Sequence, residues 1–378
     1  MMTKGQPIDS KIHKDLEPEI NKYFNAAIKM EASDLHLKVG MVPKIRIQGS
    51  LRKTKAELMT DELMERLVFE IMSESQKKFF LEHGALDFAW QVSNSDRFRV
   101  NVFRQRGRIS LAARRITSNI PPFESLNLPP IVEKIAEAHD GLILVTGPTG
   151  CGKSTTIASM IDHINVNRPC HIVTIEDPIE FLHIDKKAIV SQREVGIDVG
   201  SYDEALRSLM RQDPDVVLVG EIRDNVTLTA AMRAAETGHL VFGTLHSINA
   251  GQTIQRILDL FPQEERELAR QTFALTVRGI VSQTLLPGLR PEAKRVPAIE
   301  ILIANSIAKK LISEGREADL ASVIRNCQNE GMQDFTESLR KLVMEEWVDI
   351  KVALQCAPNV EELKMSLKGI RTFSSGIL

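Results

Sequence analysis

The chain has 378 residues, 43% apolar and 26% charged, with a formal net charge of −2. This balance excludes an intrinsically disordered chain, and it supplies no bulk electrostatic attraction for nucleic acid. Met1 to Glu19 lacks the apolar core of a secretory signal, no run approaches the roughly 18 apolar residues of a membrane span, and the four cysteines form no CxxC pair. A reduced, cytoplasmic protein of two or three domains is expected, at roughly 150 residues per domain.

The first predicted element is a helix, since Leu16, Ile20, Phe24, Ala27 and Ile28 recur at helical spacing. Asp34 to Lys38 and Lys44 to Gln48 alternate as strands, and Gln48-Gly49 marks a turn. Thr60 is placed to cap a helix carrying Leu63, Leu67 and Ile71. Two or three further strands are expected from Ala85 to Ile116. Residues 1–116 thus read as an α+β domain.

Pro121-Pro122 and Pro129-Pro130 interrupt both periodicities, so residues 117–130 read as an interdomain linker. Over 131–298, four short β runs stand out: Leu142 to Thr146, His171 to Ile175, Val216 to Val219 and Leu240 to Thr244. Helical stretches separate them, as a parallel sheet requires. Residues 299–378 read as a helical region, in which Asp334 with Glu337 resembles a capping box.

The chemistry begins at Gly147-Pro148-Thr149-Gly150-Cys151-Gly152-Lys153-Ser154-Thr155, which satisfies GxxxxGK[ST] between an apolar strand and a helix-compatible run. Glycines let the backbone curl so that its N–H groups face phosphate oxygens, and the helix N-terminus adds its positive dipole end. Lys153 is expected on the β- and γ-phosphates of ATP, and Ser154 on Mg²⁺. Hydrolysis needs carboxylates as well. Val216 to Glu221 is an apolar run ending in an acid, and Thr174 to Glu180 places Glu176 and Asp177 at another strand end. Ligands of open α/β sheets bind at carboxyl strand ends. Glu221 is therefore assigned as the water-orienting base, and Glu176 as support for Mg²⁺ or its water shell; the reverse assignment stays open. His239 and His246 flank the fourth β run, and His246, at its carboxyl end, is the better placed to sense the γ-phosphate. Arg97 to Ile116 holds seven arginines and no acid. A solvated basic face, a nucleic-acid surface and arginine fingers offered to a neighbouring subunit's ATP are the three readings.

These segments together resemble the secretion and pilus motor ATPases. The resemblance rests on Ala32 to Leu37, the loop Gly147 to Thr155, Thr174 to Glu180, Asp213 to Asp224 and Ala234 to Ser247. Pro297 to Leu302 and Gly331 to Phe335 narrow it to the retraction ATPases of type IV pili. It covers residues 16 to 356. It implies an α/β architecture: a PAS-like N-terminal domain, a RecA-like P-loop ATPase core and a helical C-terminal region. It also implies a homo-hexamer with ATP between subunits, acting on an inner-membrane pilus platform protein and coexisting with paralogous retraction or extension ATPases, without direct nucleic-acid contact. Such a motor would lie in the cytoplasm, peripheral to the inner membrane, and drive twitching motility. By the same resemblance, Thr174 to Glu180 corresponds to an Asp box, Gly220-Glu221 to an atypical Walker B and His239 to His246 to a His box, and the arginine fingers match Arg99 and Arg114. The family's Ala-Ile-Arg-Asn-Leu-Ile stretch is here Ser306-Ile-Ala-Lys-Lys-Leu-Ile312, with Lys309 where arginine is expected. Extension or type II secretion ATPases are the alternative within the family; their four-cysteine zinc element has no counterpart here. A nucleotide-responsive regulator and a nucleic-acid translocase are the alternatives outside it.

Overall fold

The computed structural model describes residues 17–47, 49–93 and 96–370. The chain divides between Thr117 and Ser118 into two units, each with its own sheet.

The N-terminal unit opens with α1 (Asn21–Lys29), whose Phe24 and Ala27 are buried. Strands β1 (Asp34–Lys38), β2 (Lys44–Ile47) and β3 (Ser50–Lys53) follow, then helices α2 (Asp61–Glu70) and α3 (Glu74–His83). Long strands β4 (Ala85–Ser93), β5 (Asp96–Gln105) and β6 (Arg108–Thr117) complete an antiparallel sheet of order β3-β2-β1-β6-β5-β4. Thr60 caps α2, its hydroxyl accepting from the Leu63 N–H at 3.2 Å. Two elements were missed by periodicity. Strand β3 is exposed throughout, and α3 buries only Phe80 among its side chains, so neither carries a strong apolar stripe. Local chemistry does mark α3: Ser73 and Gln76 form a reciprocal capping box, and Gly84 ends the helix at φ +76°. Gln48 of the expected turn lies outside the described residues.

In the second unit, residues 118–130 do not behave as a free linker. Ser159 Oγ donates to the Pro121 carbonyl at 2.6 Å, and Phe123 and Leu128 pack on the core. After α4 (Ile131–Ala136), the chain alternates β7 (Gly141–Thr146), α5 (Lys153–Asn167), β8 (His171–Glu176), β9 (Ile189–Glu194), α6 (Tyr202–Leu209), β10 (Val216–Val219), α7 (Asn225–Glu236) and β11 (Leu240–Leu245). Helices α8 (Ala250–Asp259) and α9 (Arg266–Thr276) lead to β12 (Val277–Pro287) and β13 (Arg295–Ile303). The sheet order is β13-β12-β7-β11-β10-β8-β9. Every neighbouring pair is parallel except β12 with β13. Strands β7, β10 and β11 are buried along their whole length, as strands covered by helices on both faces must be.

The expected helical region from residue 299 is corrected here: β13 continues to Ile303, and helix starts only with α10 (Ser306–Ser313). An apolar run as short as Pro297 to Leu302 fits either period, and its pairing with β12 decides. The remaining helices are α11 (Leu320–Asn326), α12 (Phe335–Met344), α13 (Ile350–Cys356) and α14 (Val360–Leu367). Asp334 caps α12, accepting from the Glu337 N–H at 2.8 Å. In the departure noted above, Lys309 Nζ donates to the Leu275 carbonyl in the last turn of α9 at 2.9 Å, where a cation complements the negative end of the helix dipole. Among the described residues, no helix is long and apolar enough to cross a membrane.

One half-buried acid ties the edge hairpin to the helices. Glu300 on β13 accepts the Ala250 N–H at the start of α8 at 2.8 Å, and burial pushes its carboxyl up to about 7. A raised acid contributes stability that is fully present below its unfolded pKa of 4.5 and is lost as pH rises through 7. Glu300→Gln should therefore show a shallower fall in Tm from pH 5 to pH 8 than the parent. Parallel curves by calorimetry would refute this.

Candidate active site

Four neighbouring strands deliver the site. Strands β7, β11, β10 and β8 lie side by side, and the segments that leave their carboxyl ends carry the glycine loop, His246, Gly220-Glu221 and Glu176-Asp177 respectively. Backbone bonds knit these exits together. Gly147 N–H donates to the Leu245 carbonyl, Gly220 N–H to Ile175 and Ile222 N–H to Thr244. The Thr244 hydroxyl donates to the Gly220 carbonyl at 2.6 Å. The result is a cavity of about 690 Å³ lined by Thr149, Gly150, Gly152 to Thr155, Glu176, Asp177, Glu221 and His246, among others.

The loop has the shape its glycines allow. Gly147 sits at φ +143°, and a Cβ there would collide with the Gln283 carbonyl and the Cys151 sulfur. Gly152 enters α5 at φ +91° and gives the helix no side-chain cap, which leaves the first N–H groups without a side-chain partner. Lys153 Nζ, largely buried, donates to the carbonyls of Gly147 at 2.9 Å and Pro148 at 3.1 Å. Gly147, Pro148 and Cys151 thus form the back of the loop. Gln283, fully buried on β12, braces it by donating to the Cys151 carbonyl at 2.7 Å and accepting from Thr156 at 3.0 Å.

The two carboxylates have opposite environments. Glu221 accepts from Arg223 at 2.6 Å on one oxygen and lies 3.1 Å from His246 Nε2 on the other. The Arg223 hydrogen bond holds its pKa below the usual carboxylate value. Glu176 is pushed up to about 7 by burial, against hydrogen bonds donated by Thr174 at 2.7 Å and Gln192 at 3.1 Å. Between them, burial raises the Tyr202 phenol to about 12, so it keeps its proton.

His239 does not join this cavity. It stands at the opposite end of β11, roughly 20 Å from His246 at ~3.3 Å per residue. Its Nδ1 lies 2.9 Å from the Ala234 carbonyl and 3.1 Å from the Thr237 hydroxyl, closing the end of α7. The flanking of one strand by two histidines is real, but strand direction separates them. Arg99 and Arg114 belong to the N-terminal unit. They face each other directly across β5 and β6, with Arg114 Nε donating to Asp34 at 3.0 Å. The basic run is partly offset by acids outside it, since Arg115 also pairs with Asp96, the residue just before the run, at 2.6 Å.

Arg223, Gln192, Gln283, Thr244 and Tyr202 are additions that the sequence did not single out. Arg223 carried a usable signal, two residues beyond a strand-end acid. Gln192 and Gln283 carried none, because each reaches its partner only across the sheet.

A parallel sheet with a glycine loop leading from strand to helix, and acids at adjacent strand ends, is the RecA-like α/β architecture of nucleoside-triphosphate-binding proteins. The family described as type II/IV secretion system protein matches residues 9–356, and the chain belongs to that family. It is 42% identical over 325 residues to the type IV pilus retraction ATPase PilT of Pseudomonas aeruginosa, covering 86% of this chain and 94% of that one. It is 36% identical over 351 residues to the type IV pilus ATPase PilU of the same organism, covering 93% and 91%. A crystal structure of the pilus retraction motor PilT with bound ADP superposes with a TM-score of 0.83 at 43% identity, covering 91% of this chain and 98% of that one.

Proposed function

We propose that the chain is the ATP-hydrolysing subunit of a hexameric motor that retracts type IV pili. The observation that carries this reading is the convergence of the glycine loop, Glu176, Glu221 and His246 on one cavity. Its likeness to PilT over most of the chain directs that chemistry towards retraction. The N-terminal unit is read as the PAS-like module and residues 131–298 as the core of the ATPase. The partners are further copies of this chain, an inner-membrane platform protein and paralogous pilus ATPases, on the cytoplasmic face of the membrane.

The loop amides and Lys153 hold the phosphates of ATP. Among the described residues, no group of three or more His, Cys, Asp and Glu is arranged to hold a metal. That fits Mg²⁺, which takes few protein ligands beside phosphate and water; Ser154 would be one, with Glu176 supporting its water shell. When bound, the ion neutralises charge on the transferring phosphoryl group. Glu221 orients the attacking water, and His246, in contact with Glu221, reports on the γ-phosphate. Arg99 and Arg114 lie directly opposite each other; Asp34 offsets the charge of Arg114, and the pair keeps a net positive charge that a further anion would neutralise. A neighbouring subunit's ATP supplies that anion.

The test is ATP hydrolysis per subunit across a wide range of protein concentration, with Mg²⁺, alongside Arg99→Ala and mixtures of Arg99→Ala with Lys153→Ala. The parent rate per subunit should rise steeply and plateau as rings assemble. Arg99→Ala should lose roughly a thousandfold in rate, and mixed rings should recover part of it, because each variant lacks a different half of the site. A mixture as inactive as its components, with mixing verified, would remove the arginines from the mechanism. Absence of hydrolysis by the parent would remove the motor.

A further inference from the structure

Gln192 joins three groups around the site, and the chemistry above gives it no role. It lies on the edge strand β9, directly opposite Thr174 on β8, and Glu176 follows two residues further along β8. Residues two apart on a strand share a face, so the three side chains stand together. The Gln192 carboxamide is used at both ends. Its nitrogen donates to Glu176 Oε1 at 3.1 Å and to the Phe181 carbonyl at 2.9 Å, and its oxygen accepts the His183 N–H at 2.8 Å. One orientation satisfies all three, because a carbonyl needs the amide N–H and a backbone N–H needs the amide oxygen.

The Thr174 hydroxyl donates to the same oxygen of Glu176, at 2.7 Å. Oε1 thus already accepts two hydrogen bonds, and acceptance from a water in the cavity falls to Oε2. The direction of Oε2 is set by the groups that grip the carboxyl. Thr174 sits on the same strand as the acid, and the Glu180 backbone, which also favours the ionised form, lies in the loop that follows it. Gln192 is the donor that reaches over from another strand. The same carboxamide holds residues 181–183, of which Phe181 and His183 line the cavity.

We propose that Gln192 is a positioning residue for Glu176: by gripping Oε1 from the neighbouring strand it leaves Oε2 to meet Mg²⁺-bound water, and it ties that aim to the cavity wall at residues 181–183. This inference rests on the reading of the site as a Mg²⁺-dependent ATPase. It gives the edge strand β9 a part in the chemistry, although β9 itself contributes no group that touches nucleotide.

Gln192→Met in the full-length chain removes both ends of the amide and keeps the length of the side chain. Gln192→Ala is measured beside it, in case an apolar chain next to Glu176 disturbs folding. Hydrolysis, and the affinity for a non-hydrolysable ATP analogue with and without Mg²⁺, would be compared in the parent, each Gln192 variant, Glu176→Ala and the double variants. Loss of Gln192 should lower kcat about tenfold, the lower end of what removing the partner of a metal-site carboxylate costs. Analogue binding should weaken several-fold with Mg²⁺ and stay within twofold without it. In the Glu176→Ala background the same change should alter neither quantity by more than twofold, because the acid through which Gln192 acts is gone. A kcat within twofold of the parent overturns the proposal. So does an equal loss with and without the Glu176 side chain, which would mark a purely structural role. If Glu176→Ala matches the parent, the role of the acid and the proposal fall together. If the parent itself fails to hydrolyse ATP, the functional reading falls first, and that outcome is visible before any variant is compared.

Discussion

Lys153→Ala should bind ATP too weakly to turn it over, with hydrolysis reduced at least a hundredfold, the scale of removing one preorganised charge-stabilising donor. The lysine is already seated: its ammonium lies on the carbonyls of Gly147 and Pro148, largely buried. Alanine removes both bonds, so the loop loses an internal clasp as well as its phosphate ligand. Two readouts separate these losses. Nucleotide affinity, measured with a fluorescent ATP analogue, should collapse. Tm should fall only modestly, since the loop is also braced by Gln283 through the Cys151 carbonyl. Near-normal hydrolysis would place the nucleotide elsewhere.

Glu221→Gln should retain ATP binding within a few-fold and lose hydrolysis by roughly 10² to 10⁴, the usual contribution of a positioned base. Glutamine keeps the shape and an acceptor but cannot take a proton. Glu176→Gln distinguishes the two acids. Glu176 is pushed up to about 7, whereas Glu221 is held below the ordinary carboxylate value. If Glu176 were the base, turnover would decline as pH falls through 7, and its glutamine variant would carry the larger loss. If Glu221 is the base, the parent should keep its activity well below pH 6 in a buffer series, as far as the fold survives.

The lining of the cavity was legible where it is written in contiguous residues. Gly147 to Thr155 states its glycines, lysine and hydroxyls in order, and strand-end acids follow from an apolar run meeting a carboxylate, as at Glu176 and Glu221. Strand pairing was not legible. Strands β9, β12 and β13 hold intermediate or ambiguous patterns, and only their neighbours make them strands. Hence the misplaced helical boundary at residue 299 and the silence on Gln192 and Gln283. His239 shows the converse error: adjacency in sequence to a functional strand was read as adjacency to the site. The Pro-rich segment 117–130 was read from its residues as a breaker, which it is, but its packing on α5 through Ser159 is a tertiary fact.

The brace between Gln283 and the glycine loop also orders events during synthesis. The two partners are 132 residues apart. At roughly 5–20 residues per second, a ribosome needs on the order of 10 s to deliver the second after the first. Throughout that interval the nascent chain carries a phosphate loop without its support and a β7 lacking at least one of its two lateral strands, while the N-terminal sheet has all its strands already in hand. The nucleotide site is therefore among the late features to mature, and premature termination before β12 yields a chain that displays the motif yet lacks the scaffold to use it.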